Sequence, residues 1–184
     1  MKNIEIEIQV KIENIKPLLI FLKKSGQFKS EEKQIDQYFT PAHRDFLAVR
    51  PVKEWLRLRN SNGVYSVNYK NWQYNKKGEG LYAEEYETKI ADLEKVKSIF
   101  QILNFKKLIN VDKKRKIWNY KNWEISLDSV KGLGDFVEIE FIGKNRKDPK
   151  KIMIEMINFL KELGCGKIEE NHVGYPFLLL GNRR

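Results

Sequence analysis

The sequence predicts an α+β fold: a closed eight-stranded antiparallel β-barrel, hollow along its axis as a tunnel, with helices packed on the outside. Three observations predict it. Charged and apolar residues alternate in many short stretches: Glu5, Glu7, Gln9 and Lys11 interleave with Ile4, Ile6, Ile8, Val10 and Ile12, and residues two apart share one face of a strand. Helical patterns are few and carry clear start or stop signals. The two halves also echo each other. Lys11-Ile12-Glu13-Asn14-Ile15 lines up with Lys89-Ile90-Ala91-Asp92-Leu93, which lays Glu7, Gln9 and Lys11 over Glu85, Glu87 and Lys89, and Phe28-Lys29 lies near Phe105-Lys106. Each half reads as strand, helix and three strands, an approximate duplication that suits a pseudo-symmetric barrel.

The strands are predicted in order at Ile4–Ile12, Gln27–Phe39, Glu54–Asn60, Val64–Asn71, Leu81–Ile90, Lys106–Asn119, Trp123–Val130 and Asp135–Ile142. Asn62-Gly63 is a tight hairpin turn. Tyr120-Lys121-Asn122 and Gly132-Leu133-Gly134 turn the last three strands into one another. Asn14 starts a helix over Ile15–Lys24 that tolerates Pro17 in its first turn and stops at Gly26. Asp92 caps a second helix, with Leu93, Val96, Ile99, Phe100 and Leu103 on one side. Asp148-Pro149 opens a third that runs to Gly164. The apolar run Phe177–Leu180 then suggests docking on the barrel or on a partner.

At 184 residues the chain reads as one domain, 1–184, with a core of 1–142 and a C-terminal helical appendage from about 147 to 184. The net charge of +10 fits nucleic acid, an acidic membrane surface or a phosphate-rich small ligand. No RNA-binding motif appears, and lysines on solvent faces account for the excess, so nucleic acid is not expected. No apolar run approaches the roughly 18 residues of a membrane span, and Met1–Lys11 has no apolar secretory core. One cysteine, Cys165, excludes an internal disulfide. A cytoplasmic protein, monomer or homodimer, is the expectation.

Strand parity gives the inward face. It takes Glu5, Glu7, Gln9 and Lys11 from the first strand, Arg57 and Arg59 from the third, and Ser66, Asn68 and Lys70 from the fourth. It continues with Glu85 and Glu87, Lys113 and Arg115, Ser126 and Asp128, and finally Phe136, Glu138 and Glu140. Trp55, Trp118, Trp123 and Tyr86 are placed on outward stripes as core under the helices. Trp72 and Tyr74 are assigned to the loop Asn71–Gly80, as a lid or a plain loop. Any one acidic or basic pair, taken alone, would be a solvated strand face. Many strands sharing the pattern argue for a common interior, and a dry one could not hold so many charges. The arginines and lysines suit a triphosphate. The carboxylates supply hard oxygens that favour Mg²⁺ or Mn²⁺. His43 and His172 are too isolated to build a zinc site.

These residues resemble the CYTH proteins, or triphosphate tunnel metalloenzymes. The family's opening Glu-x-Glu-x-Lys stands here as Glu5-Ile6-Glu7-Ile8-Gln9. Asp36-Gln37-Tyr38-Phe39 and Arg44-Asp45-Phe46 resemble its second strand and following loop. Leu56-Arg57-Leu58-Arg59, Tyr69-Lys70, Glu85-Tyr86-Glu87-Thr88 and Val111 through Arg115 continue the series in order. Leu127-Asp128, Gly132-Leu133-Gly134 and Phe136-Val137-Glu138-Ile139-Glu140 resemble its closing hairpin. The wording from Asp36 to Glu140 is most similar to the class IV adenylate cyclase branch.

The resemblance implies an eight-stranded tunnel that binds a triphosphate with divalent metal. The implied catalytic residues are Glu7, Lys11, Arg115 and Glu138. Triphosphate binding falls to Arg57, Arg59, Lys70, Lys113, Arg115 and Gln9. The metal falls to Glu5, Glu7, Asp128, Glu138 and Glu140, with Glu85 and Glu87 as further tunnel residues. The implied reaction is ATP to cyclic AMP and pyrophosphate. The alternatives are hydrolysis of tripolyphosphate, thiamine triphosphate or a nucleoside triphosphate, and binding without turnover. Gln9 departs from the pattern: either Lys11, roughly 7 Å along the same face, takes over the lysine's role, or turnover is weakened.

Overall fold

A computed structural model describes residues 4–78, 80–144 and 148–181. Among them lie ten strands and four α-helices in one antiparallel sheet. The chain runs β1 (Ile4–Glu5), β2 (Glu7–Ile12), α1 (Lys16–Ser25), β3 (Gln27–Thr40), β4 (Glu54–Ser61), β5 (Val64–Tyr74) and β6 (Gly80–Ile90). It continues with α2 (Leu93–Ile102), β7 (Lys106–Tyr120), β8 (Trp123–Val130), β9 (Gly134–Phe141), α3 (Pro149–Glu162), β10 (Ile168–Glu170) and α4 (Gly174–Gly181). No described helix is long and apolar enough to cross a membrane.

The α+β class and the predicted strand positions hold, and the count of eight becomes ten. The first predicted strand is split at Ile6, and Ile168–Glu170 pairs outside it as β10. The strand order is β1-β6-β5-β4-β3-β7-β8-β9-β2-β10. Since β1 pairs with β6 and β2 with β9, the sheet curls until one stretch of chain touches both of its sides.

The pairings also carry the internal echo. Exchanging β1/β2 with β6, β3 with β7, β4 with β8 and β5 with β9 turns each hydrogen-bonded pair of those strands into another such pair. A duplicated strand–helix–three-strand unit requires this.

Local chemistry sets the element ends. Asn62 (φ 49°) and Gly63 (φ 85°) form the β4–β5 turn, the backbone that a two-residue hairpin needs. Asp92 accepts from Lys95 N at 3.0 Å, and Asp148 accepts from Lys151 N at 3.0 Å, capping α2 and α3. Asn14 Oδ1 accepts from Lys16 N at 3.1 Å at the start of α1.

The larger core lies outside the curl, as parity predicted. Ile8, Val10, Ile125, Val137 and Ile139 point out of the sheet beneath Leu18 and Leu22 of α1 and Met156 and Leu160 of α3. Trp118 and Trp123 belong to it. A second cluster joins Tyr38, Trp55, Val111, Val130 and Phe136 to Tyr175 of α4. These sheet residues share parity with the charged stripes, so one end of the interior is closed by aromatic and aliphatic groups. Phe136 is therefore part of this apolar closure, and Phe177–Leu180 pack against the same cluster.

Three other expectations change. Trp55 is inward, because it lies two residues from Arg57. Tyr86 is 53% exposed and is not core. Helix α2 has no buried residue, and Ile99 and Leu103 of its apolar side are more than half exposed. The segment expected to be a helical appendage holds α3 and α4 and, between them, the strand β10 that pairs with β2; its predicted limits at 147 and 184 lie outside the described residues.

Candidate functional site

A cavity of about 300 Å³ runs inside the curl. Of the predicted residues, Glu5, Glu7, Gln9, Arg57, Arg59, Lys70, Glu85, Glu87, Lys113, Arg115, Glu138 and Glu140 line it. Their strands bring them together because every strand contributes its even or odd stripe to the concave side.

The cationic side is built on β3, β4, β7 and β8. Asp36 and Arg59 face each other across β3 and β4. Arg59 donates through Nε and Nη2 to the two Asp36 oxygens, both at 2.7 Å. Arg115 and Asp128 face each other across β7 and β8, and Arg115 makes the same fork at 2.6 and 2.5 Å. The duplicated halves thus carry one motif with its partners exchanged. Such bidentate pairs fix the guanidinium plane. Burial pushes Asp36 up, but Arg59 and Arg57 more than reverse it and hold its carboxyl well below the usual range. Arg57 is held loosely, 3.6 Å from Asp36 and 3.8 Å from Glu85, and its buried Nε has no hydrogen-bond partner. Lys113 lies 3.2 Å from Asp128, yet burial and then the Arg115 charge push it down to about 8. Lys113 is thus short of negative charge. Burial acts to lower Arg57, whereas Asp36, Tyr38, Glu85 and Glu87 together outweigh it and raise Arg57 well above its ordinary value.

The opposite side, on β1, β2, β6 and β9, is rich in carboxylates, and two of them, Glu5 and Glu140, have raised pKa values. Glu7 and Glu140 are cross-strand partners. Burial, then Glu7, push Glu140 up to about 7 against the pull of Lys70. Burial and Glu7 likewise raise Glu5 well above the carboxylate range. Lys70 Nζ sits 2.7 Å from Glu5 and 3.1 Å from Glu7. Asn68 donates to Glu85 at 2.5 Å and Ser66 to Glu87 at 2.7 Å.

Glu138 joins the two sides. Arg115 Nη2 lies 2.9 Å from its Oε1, and Gln9 Nε2 donates to Oε2 at 3.0 Å. Burial raises Glu138, and Arg115 and Lys113 override it and depress its pKa well below the ordinary value.

The predicted metal acids divide. Asp128 is 2% exposed and committed to Arg115, Lys113 and Tyr175, whose hydroxyl donates to it at 2.9 Å. Glu138 is held by Arg115 and Gln9. Glu5, Glu7 and Glu140 remain as a crowded set of hard oxygens. Among the described residues, no three acids, histidines or cysteines converge on one point as the side chains stand. Lys70 is the cation between Glu5 and Glu7. Lys11 leaves the cavity: its Nζ donates to Leu133 O at 3.0 Å and lies 4.9 Å from the Phe136 ring centre.

Several lining residues were missed. Glu32 and Gln34 line the cavity and Asp36 lies buried behind Arg59. All three show the same alternation in the second strand, so the signal was present. Trp72 also lines the cavity, because β5 extends through it to Tyr74 instead of ending as a loop at Asn71. Asn171 and Tyr175 carried no local signal, because the C-terminal segment reaches them by docking.

A model of the CYTH domain matches residues 3–175. The chain belongs to the CYTH family. A Methanocaldococcus jannaschii protein provisionally named an adenylate cyclase is 38% identical over 165 residues, 89% of this chain and 91% of that one. A solved Pyrococcus horikoshii structure matches with a TM-score of 0.79 at 27% identity, covering 98% of this CYTH chain and 99% of that chain. A Hippeastrum protein, provisionally named an adenylyl cyclase and described as having a dominant triphosphatase activity, shares the fold at a TM-score of 0.69. Its identity is 19%, with 100% and 97% of the two chains covered.

Proposed function

We propose that this CYTH protein is a divalent-metal-dependent enzyme that acts on a triphosphate inside the curled sheet, as an adenylate cyclase. The sheet is read as a closed eight-strand tunnel, with β1 and β2 counted as one strand and β10 as an external addition. One observation carries the reading: five cations and nine carboxylates line a single cavity in a chain of net charge +10. An anion entering an acid-rich cavity needs added positive charge. Lys113 is short of negative charge and Arg57 Nε has no hydrogen-bond partner on one side, and Glu5 and Glu140 are short of positive charge on the other. A metal–triphosphate complex supplies both.

Glu5, Glu7 and Glu140 fit Mg²⁺ or Mn²⁺ by their hard oxygens and mutual repulsion. When bound, the ion would neutralise phosphate charge. Arg57, Arg59, Lys70, Lys113 and Arg115 hold the phosphate oxygens and take up charge that grows on pyrophosphate as it departs. Glu138 fixes Arg115 for that role. In cyclisation the ribose 3′-oxygen bonds to the α-phosphorus, the bond to pyrophosphate breaks, and the 3′-hydroxyl proton leaves to solvent or a carboxylate. The provisional name of the 38% identical archaeal relative supports the cyclase reading.

Product analysis with Mg²⁺ and Mn²⁺ on ATP, thiamine triphosphate and tripolyphosphate tests it. Cyclic AMP from ATP is expected. Orthophosphate as the product would make the protein a triphosphatase, and tight binding without product would make it a binder.

A further inference from the structure

The internal duplication leaves its two helices unequally covered. Running the match of Lys11–Ile15 onto Lys89–Leu93 forward lays Leu18, Phe21 and Leu22 of α1 over Val96, Ile99 and Phe100 of α2. The inner positions of both helices pack on the sheet: Leu18 and Leu22 are fully buried, and Phe100 meets Phe39 edge to face with ring centres 5.2 Å apart. Phe21 has a second cover, Phe159 of α3, also edge to face at 5.2 Å. Its counterpart Ile99 has no such cover among the described residues. Ile99 is 51% exposed, and Ile102 and Leu103 beside it are 78% and 58% exposed. The unit was copied, but only one α3 follows it, and α1 uses that helix. An apolar stripe on an otherwise charged helix is the pattern that a second helix covers.

We propose that the outer face of α2 joins two copies of this chain, their α2 helices packing antiparallel about a twofold axis. The charges around the stripe favour a second copy in that orientation. Asp92 and Glu94 stand at the amino end of α2, and the Glu94 side chain is 76% exposed. Lys106 and Lys107, both exposed, follow its carboxyl end. Lys95 lies 3.5 Å from Asp92 and Lys97 lies 2.6 Å from Glu94. The amino end therefore carries both signs, and the carboxyl end carries cations alone. Two copies aligned in the same direction would set four lysines together. The antiparallel arrangement instead sets each basic end against the acids of the other copy and opposes the helix dipoles. Ile99, Ile102 and Leu103 of the two copies then cover one another at the axis. Three aliphatic side chains fall short of the roughly 800 Å² per partner of a standard interface, so the dimer is a weak one that depends on protein concentration.

Sedimentation velocity of the full chain from about 5 to 500 μM, the range in which a small interface associates, tests the proposal on the wild type, Ile102→Glu and Ile20→Glu. Ile20, 68% exposed on α1, is the control for an added surface charge elsewhere. Both positions are exposed, so circular dichroism should show a native fold in each variant. The wild type and Ile20→Glu are expected to pass from monomer to dimer within the range. Ile102→Glu is expected to need at least about tenfold more protein, the loss of a central interface contact. Glu94→Lys should weaken the dimer as well, and adding Lys106→Glu and Lys107→Glu to it should restore association, because each acid meets the cations of the other copy. A wild type that stays monomeric throughout, which would leave the face to a different protein, overturns the proposal. So does a dimer that Ile102→Glu leaves unchanged. Failure of the triple variant to regain the dimer overturns the antiparallel arrangement.

Discussion

Asn171 donates through Nδ2 to Gln9 Oε1 at 2.5 Å, and its backbone N–H donates to Gln9 O at 2.7 Å. The first bond orients the carboxamide so that its Nε2 meets Glu138 at 3.0 Å. Four residues on, Tyr175 binds Asp128, the other carboxylate on Arg115. The segment 171–175 thus grips both ends of the chain Gln9–Glu138–Arg115–Asp128. The neutral side chain at position 9 still donates to Glu138, as a lysine there would, but only in one amide orientation.

Replacing Asn171 with Asp should therefore harm turnover more than replacing it with Ala. The aspartate accepts where Asn171 donates, so the Gln9 amide turns its oxygen toward Glu138. A loss of about tenfold or more in kcat is expected from one misdirected buried hydrogen bond. Adding Gln9→Lys to Asn171→Asp should restore activity through a Lys–Asp pair. Equal activities of the Asp and Ala variants, measured alongside their melting temperatures, would show that Asn171 merely fastens β10.

Glu138→Gln should abolish turnover, by about 100-fold or more, the scale of losing one placed electrostatic partner. The fold should survive, because Asp128 still holds Arg115 through both fork bonds. Unchanged product formation in a variant with a native melting curve would remove Glu138 from the catalytic set.

Lys70→Ala should weaken triphosphate binding about 10- to 100-fold, the worth of a charge-assisted contact. Lys70 is also the cation between Glu5 and Glu7, so Mg²⁺ should bind the free variant more tightly than the wild type. Calorimetry with each ligand separately reads both effects.

Asp128→Ala should destabilise the protein by about 3–5 kcal/mol, the cost of leaving buried cations without their anion. Lys113 and Arg115 both lose their nearest carboxylate, and Tyr175 loses its acceptor. Urea denaturation would reveal it; a change below about 1 kcal/mol would mean that Glu138 takes over both cations.

Stability should fall as pH rises from about 5 to 7.5 in the ligand-free protein. Glu140 titrates near 7 in the folded state, above its ordinary value of 4.5. Its contribution is thus complete below about 4.5 and is lost as pH rises through about 7. Glu5 is shifted in the same direction. Asp36 and Glu138 are depressed, so their contributions stay constant across this window. Urea midpoints should show the slope, and Glu140→Gln should flatten it. An identical slope in that variant would exclude Glu140 as its source.

Alternation and turn chemistry alone determined the strands, the caps at Asp92 and Asp148, the outward apolar core and most of the charged lining. These are local properties: strand parity assigns each side chain to a face before any partner is known. The internal echo was legible for the same reason, since a copied unit copies its local pattern. Tertiary structure alone decided which charge meets which. It set Lys70 between Glu5 and Glu7, tied Asp128 to Arg115, Lys113 and Tyr175, and removed Lys11 to the Leu133 carbonyl. It also closed one end of the interior with Trp55, Phe136 and Tyr175. Such pairings follow from register and from the curl of the sheet, which relate residues as distant as Gln9 and Asn171. No window of sequence contains both members of those pairs.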